Sequence, residues 1–118
     1  MSRFVIQGGC RVRGVHTAPG NKNAALPMLA ACLLTDEPVV LENLPVINDV
    51  RVTLDLLKKL GVSVSLDEAA HKVELRARSL RTPRLNRALC ARVRSAILYA
   101  GSLLARGVAA TIYPPGGD

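Results

Sequence analysis

NDVRVTLDLLKKLGVSVSLDEAAHKVELR (residues 48–76) changes period halfway along, and that change decides the fold. Val50, Leu54, Leu57 and Leu60 fall at steps of four and three, giving one apolar helical face. Asn48 or Asp49 can cap the start, Lys58 and Lys59 suit the last turn, and Gly61 suits the stop. From Val62 the pattern alternates strictly, VSVSL (62–66) and KVELR (72–76) across DEAAH, which predicts an antiparallel hairpin.

Working outward, EPVVLENL (37–44) is apolar and β-branched enough for a strand. NAALPMLAACLL (23–34) is rich in strong helix formers. Pro27 is tolerable there only within the first turn, so the helix is expected to start at about Lys22–Ala24. With apolar residues on every side, that helix is expected to be buried all round. RFVIQ (3–7) and RVRGVHTA (11–18), joined by Gly8-Gly9, read as two strands around a turn. A long helix over about 86–106 and a last strand VAATIY (108–113) are expected to follow. Helices alternating with strands and a hairpin predict an α/β or α+β fold with a mixed sheet. The closing PPGGD, directly after a strand, reads as an interruption.

The 118 residues amount to about one domain, and 49% apolar content supports a core. Phe4, Tyr99 and Tyr113 are the only aromatics, so that core is aliphatic. No apolar run reaches the length of a membrane span and MSRFVIQGG carries no secretory pattern, so a soluble cytoplasmic protein without membrane contact is expected. Cys10, Cys32 and Cys90 are odd in number and lack metal-ligand spacing, and His16 and His71 stand apart, so no metal is expected. Cys32 and Cys90 read as small core residues.

The net charge of +7 is uneven. Residues 1–75 are balanced, whereas 76–117 hold Arg76, Arg78, Arg81, Arg84, Arg87, Arg92, Arg94 and Arg106 with no acid. That asymmetry suits an anionic partner or a solvated basic face. Nucleic acid is disfavoured as the partner, because too few aromatics accompany the arginines and no nucleic-acid motif is present.

TAPGNKNAALP (17–27) brings a turn, a lysine and an asparagine to the start of an apolar helix. Free amides at a helix N-terminus attract anions, Gly20 allows close approach, Lys22 adds charge and Asn23 can orient a polar ligand. Alternatively Asn21 or Asn23 caps the helix and Lys22 points to water. Neither the phosphate-cradling GxxxxGK[ST] loop nor the GxGxxG dinucleotide fingerprint is present.

PGNKNAALP resembles the signature of the UDP-N-acetylglucosamine enolpyruvyl transferases, cytoplasmic enzymes that open peptidoglycan synthesis. FVIQGG, LENLPVINDV, LLKKLGVSV, VRSAILYAGSLLAR and PPGGD extend the similarity over essentially the whole chain. The sister family acting on shikimate phosphate would show serines after the lysine, where Asn23-Ala24-Ala25 stands here. The resemblance implies phosphoenolpyruvate and UDP-N-acetylglucosamine as substrates, with no metal or organic cofactor. By the same resemblance Lys22 and Asn23 contact phosphoenolpyruvate, Lys22 also serves catalysis, and Arg94 helps bind both substrates. Asp118 falls where most members carry the proton-donating cysteine. A carboxyl ordinarily titrates near 3.9, against about 8.5 for a thiol, so acting as the acid would require a raised pKa. An epoxide that alkylates the usual thiol is then expected to find no target, and Asp118→Cys to restore one.

The implied fold is an inside-out α/β barrel assembled from βαβαββ units. Residues 12–76 match the first unit and 77–118 the start of a second ending at the PGG loop. Residues 1–13 would pair with a C-terminal part of a longer chain. On that reading the 118-residue piece alone is expected to be inactive.

Overall fold

The helix and hairpin of residues 48–76 form where the change of period puts them. The computed structural model describes residues 3–80 and 87–114. Helix α2 (Asn48–Lys59) buries Val50, Val52, Thr53, Leu54, Leu56 and Leu57, a wider stripe than four positions alone would give. It ends in a Schellman turn, the Gly61 amide on the Lys58 carbonyl at 3.0 Å and the Val62 amide on Leu57 at 3.1 Å. Gly61 takes φ +98°, which a side chain would resist. The expected cap is different: Ile47 holds the cap position without a side-chain bond, and Asn48 and Asp49 are the first helical residues. Asp49 therefore complements the positive end of α2 from inside its first turn.

Strands β2 (Ser63–Asp67) and β3 (Lys72–Arg76) pair antiparallel, and β1 (Val39–Leu41) adds to the other side of β3. The order is β1-β3-β2, antiparallel throughout, so the parallel pairing of a mixed sheet is not among these strands. Val73 and Leu75 on central β3 are buried against the helices.

Helix α1 (Lys22–Ala31) starts within the expected window, and α4 (Leu98–Ala105) packs beside it. The Ser102 hydroxyl donates to the Ala30 carbonyl at 2.8 Å. Arg106, at the end of α4, donates to the Leu33 and Ala77 carbonyls at 3.0 and 3.2 Å. Cys32 and Cys90 lie in the core as expected, with Leu29, Leu57, Tyr99 and Leu103 fully buried around them.

Four expectations need correction. First, α1 is not buried all round: Ala25, Leu29 and Ala30 face the core, while Met28 is 46% exposed, because no described element covers that side. Pro27 is also the sixth helical residue, one turn in, and its missing amide forgoes the bond to the Asn23 carbonyl.

Second, residues 3–7 and 11–18 form no strands, and Phe4 and Val15 are 95% and 99% exposed. A lone hairpin without a third strand or a packed face is marginal in water. Among the described residues, α1, β1, α2, β2 and β3 therefore follow one another with no strand before them.

Third, the long helix breaks into α3 (Arg87–Cys90), an extended Val93, a 3-10 turn (Arg94–Ile97) and α4. Val93 leaves the helical region to bury its side chain, packing overriding local propensity. Fourth, 108–113 forms no strand: Thr111 makes only an isolated bridge, although Val108, Ala110 and Ile112 alternate as half-buried positions.

Candidate functional site

The start of α1 is organised by Asn21. Its side-chain oxygen accepts from the Asn23 amide at 2.7 Å and the Ala24 amide at 3.3 Å. Two of the amides that the sequence offered to an anion are thus already satisfied. Gly20 also serves another purpose than ligand approach. A Cβ there would sit 1.9 Å from the Asn43 carbonyl oxygen and 2.8 Å from Pro45 Cδ. The missing side chain admits the β1–α2 loop.

With Asn21 as the cap, the side chains of the next two residues are released for other work. Lys22 does not point to bulk water: its ammonium forms an ion pair with the Asp49 carboxylate in the first turn of α2. Lys22, Asn23 and Leu26 from α1, Asp49 from α2, and residues 92–95 line one pocket of about 290 Å³. Lys22 and Asn23, adjacent in sequence, are thereby brought together with Arg94, more than 70 residues further on. Among the described residues, three cationic ones, Lys22, Arg92 and Arg94, and one carboxylate, Asp49, line this pocket. Cationic side chains around a cavity of this size can hold a compact anion. Asp118, the expected proton donor, lies outside the described residues, as do Arg81 and Arg84.

Asp49, Arg92 and Ser95 escaped the sequence reading. Asp49 was legible only as a helix start, since its partner lies on another helix. Arg92 left one usable sign, the alternation Arg92-Val93-Arg94, which favours extended backbone. Behind the pocket, Ser95, Thr53 and Tyr99 crowd their hydroxyls together. Burial pushes the Tyr99 phenol up to about 12, with the Thr53 and Ser95 hydroxyls easing it slightly downward. None of the three meets a partner with full hydrogen-bond geometry, so the contacts among them are loose.

Several arginines of the basic half are structural. Arg106 binds two carbonyls, Arg76 donates to the Asp36 carbonyl at 3.1 Å, and the Arg87 guanidinium lies 6.0 Å from the Tyr113 ring centroid. Among the described residues no cluster of His, Cys, Asp and Glu could hold a metal, and no helix is long and apolar enough to cross a membrane.

Fold and site together define a partial α/β unit with a small cationic pocket where α1 and α2 begin. The sequence profile of EPSP synthase (3-phosphoshikimate 1-carboxyvinyltransferase) matches residues 6–117, and the chain belongs to that family. Among curated relatives, the UDP-N-acetylglucosamine 1-carboxyvinyltransferase of Treponema pallidum is 45% identical over 118 residues, all of this chain and 28% of the relative. Its namesake in Bradyrhizobium diazoefficiens is 41% identical over 116 residues, 98% of this chain and 27% of the relative. The chain thus spans little more than a quarter of these relatives' length. The enolpyruvyl transferase NikO from Streptomyces tendae shares the fold at a TM-score of 0.71 and 24% identity, over 84% of this chain and 23% of that one.

Proposed function

We propose that the chain carries the phosphoenolpyruvate-binding wall of an enolpyruvyl transferase that acts on UDP-N-acetylglucosamine. The observation that carries this reading is the convergence of Lys22, Asn23 and Arg94 on one pocket sized for a small anion. The names of relatives 41–45% identical over nearly the whole chain support the acceptor.

In the reaction the sugar 3-hydroxyl gives up its proton and attacks C2 of phosphoenolpyruvate while C3 gains a proton; C3 then loses a proton as the C2–O bond to phosphate breaks, which restores the double bond and releases inorganic phosphate. Lys22 and Arg94 offset charge on the carboxylate and phosphate through addition and elimination, and Asn23 orients the ligand. Asp118 is assigned the proton transfer to C3. The setting is cytoplasmic, at the opening of peptidoglycan synthesis. Within the whole enzyme, residues 12–76 are the first βαβαββ unit and 77–118 begin the next, with 1–13 pairing elsewhere in the longer chain.

The test joins this chain to the remaining three quarters of the Treponema pallidum relative and follows phosphate release from phosphoenolpyruvate. Turnover is expected with UDP-N-acetylglucosamine, lost in Lys22→Ala, and absent from the 118-residue chain alone. A folded chimera that releases phosphate only with shikimate 3-phosphate would overturn the acceptor. One inert with both acceptors, beside an active relative, would overturn the reaction.

A further inference from the structure

We infer that Arg92 is a second guanidinium ligand of the anion pocket, acting beside Arg94 on the same phosphate-bearing ligand. The inference rests on the reading of this pocket as an anion site.

The helix break supplies the geometry. In a continuous helix, residues 92 and 94 would project about 200° apart, and one arginine would face away from α1. Instead the chain turns tightly after α3, with the Arg92 amide on the Leu89 carbonyl at 3.0 Å, and Val93 opens to φ −141°, ψ 134°. Extended backbone sends alternate side chains to opposite faces. Val93 is buried, 3% exposed, while Arg92 and Arg94 both line the pocket with Lys22. The break that the sequence did not foretell is therefore what puts two guanidiniums on one wall.

Charge points to the ligand class. Among the described lining residues, three cationic side chains, Lys22, Arg92 and Arg94, stand with one carboxylate, Asp49, a balance that favours a ligand of more than one negative charge, such as a dianion. A phosphate monoester supplies that charge and enough oxygens for two guanidinium forks. A lone carboxylate supplies neither. Arg92 is thus a specificity residue for the phosphate group, where Asn23 can serve any polar acceptor.

The experiment titrates phosphoenolpyruvate, inorganic phosphate and pyruvate into the protein and into Arg92→Ala, Arg92→Gln, Lys22→Ala and Arg78→Ala, by calorimetry or amide shifts. Arg92 and Arg78 are both exposed, so each variant is expected to keep the parent spectrum. Both Arg92 variants should weaken phosphoenolpyruvate and phosphate roughly five- to tenfold, the size of one charged hydrogen bond, and flatten the salt dependence. Pyruvate should bind weakly everywhere and Arg78→Ala should match the parent. If Lys22→Ala weakens binding while both Arg92 variants match the parent, Arg92 is not a ligand and the anion site survives. If the parent binds none of the three, the anion site fails and the inference fails with it. Equal losses for pyruvate and phosphate would overturn the specificity for phosphate.

Discussion

Lys22 and Asp49 form an ion pair between the first turns of two different helices, on the rim of the pocket that also holds Asn23, Arg92 and Arg94. Their side chains are 45% and 30% exposed, so the pair belongs to the class that contributes little to folding.

Asp49→Asn and Lys22→Ala should each change unfolding free energy by less than about 1 kcal/mol in urea titrations. Their effects on phosphate binding should be opposite. Removing the carboxylate tightens binding a few-fold by releasing the ammonium, and removing the ammonium weakens it. Weaker binding in Asp49→Asn would mean that Asp49 aims Lys22 and does not compete for it.

Arg106 makes the complementary case, a cation whose work is structural. Arg106→Ala leaves the Leu33 and Ala77 carbonyls without their donor and should cost about 2–3 kcal/mol, seen as a lower urea midpoint at unchanged slope. Exposed Arg78→Ala should stay within about 0.5 kcal/mol. Equal effects would dissolve the distinction between structural and surface arginines in the basic half.

Alkaline pH tests the buried Tyr99. Its phenol stays neutral up to about 12 in the folded protein, while an unfolded chain ionises its tyrosine near 10. The unfolded state therefore loses this proton first, so the contribution is complete below pH 10 and disappears as pH rises to 12. The loss amounts to about 2–3 kcal/mol. Cys32 and Cys90, whose thiols burial also pushes up, act in the same direction. Tyr99→Phe should flatten the fall above pH 10, and an unchanged slope would remove Tyr99 as its source.

The cysteines give a simple check of the packing. Cys10 is exposed, whereas Cys32 and Cys90 are buried. Brief iodoacetamide treatment near pH 7.5 should yield one adduct by mass, at Cys10. Three adducts at the same rate would show that the core around α1 opens freely.

How much was legible follows from where each signal is stored. The αββ run of 48–76 declares itself because period, helix stop and turn agree locally. Lys22, Asn23 and Arg94 could be named because a specific motif surrounds each. Burial of α1 could not be read, since Met28 and Leu29 look alike in sequence and differ only in what packs against them. The break at Val93 was hidden too, because it goes with burial of the Val93 side chain in the tertiary core, which local propensity does not record. Asp49 and Arg92 belong to the pocket through the same long-range packing.

Position 20 acts as a gauge block between the two helix starts. The loop that passes over it leads directly into α2, and its Asn43 backbone and Pro45 ring occupy the space a side chain at position 20 would need. Any side chain there must lift that loop or shift the start of α1, and either movement changes the gap between Lys22 and Asp49. The electrostatics of the pocket can therefore be detuned from a residue that bears no charge and does not line it, and substitutions at position 20 should alter anion affinity together with stability.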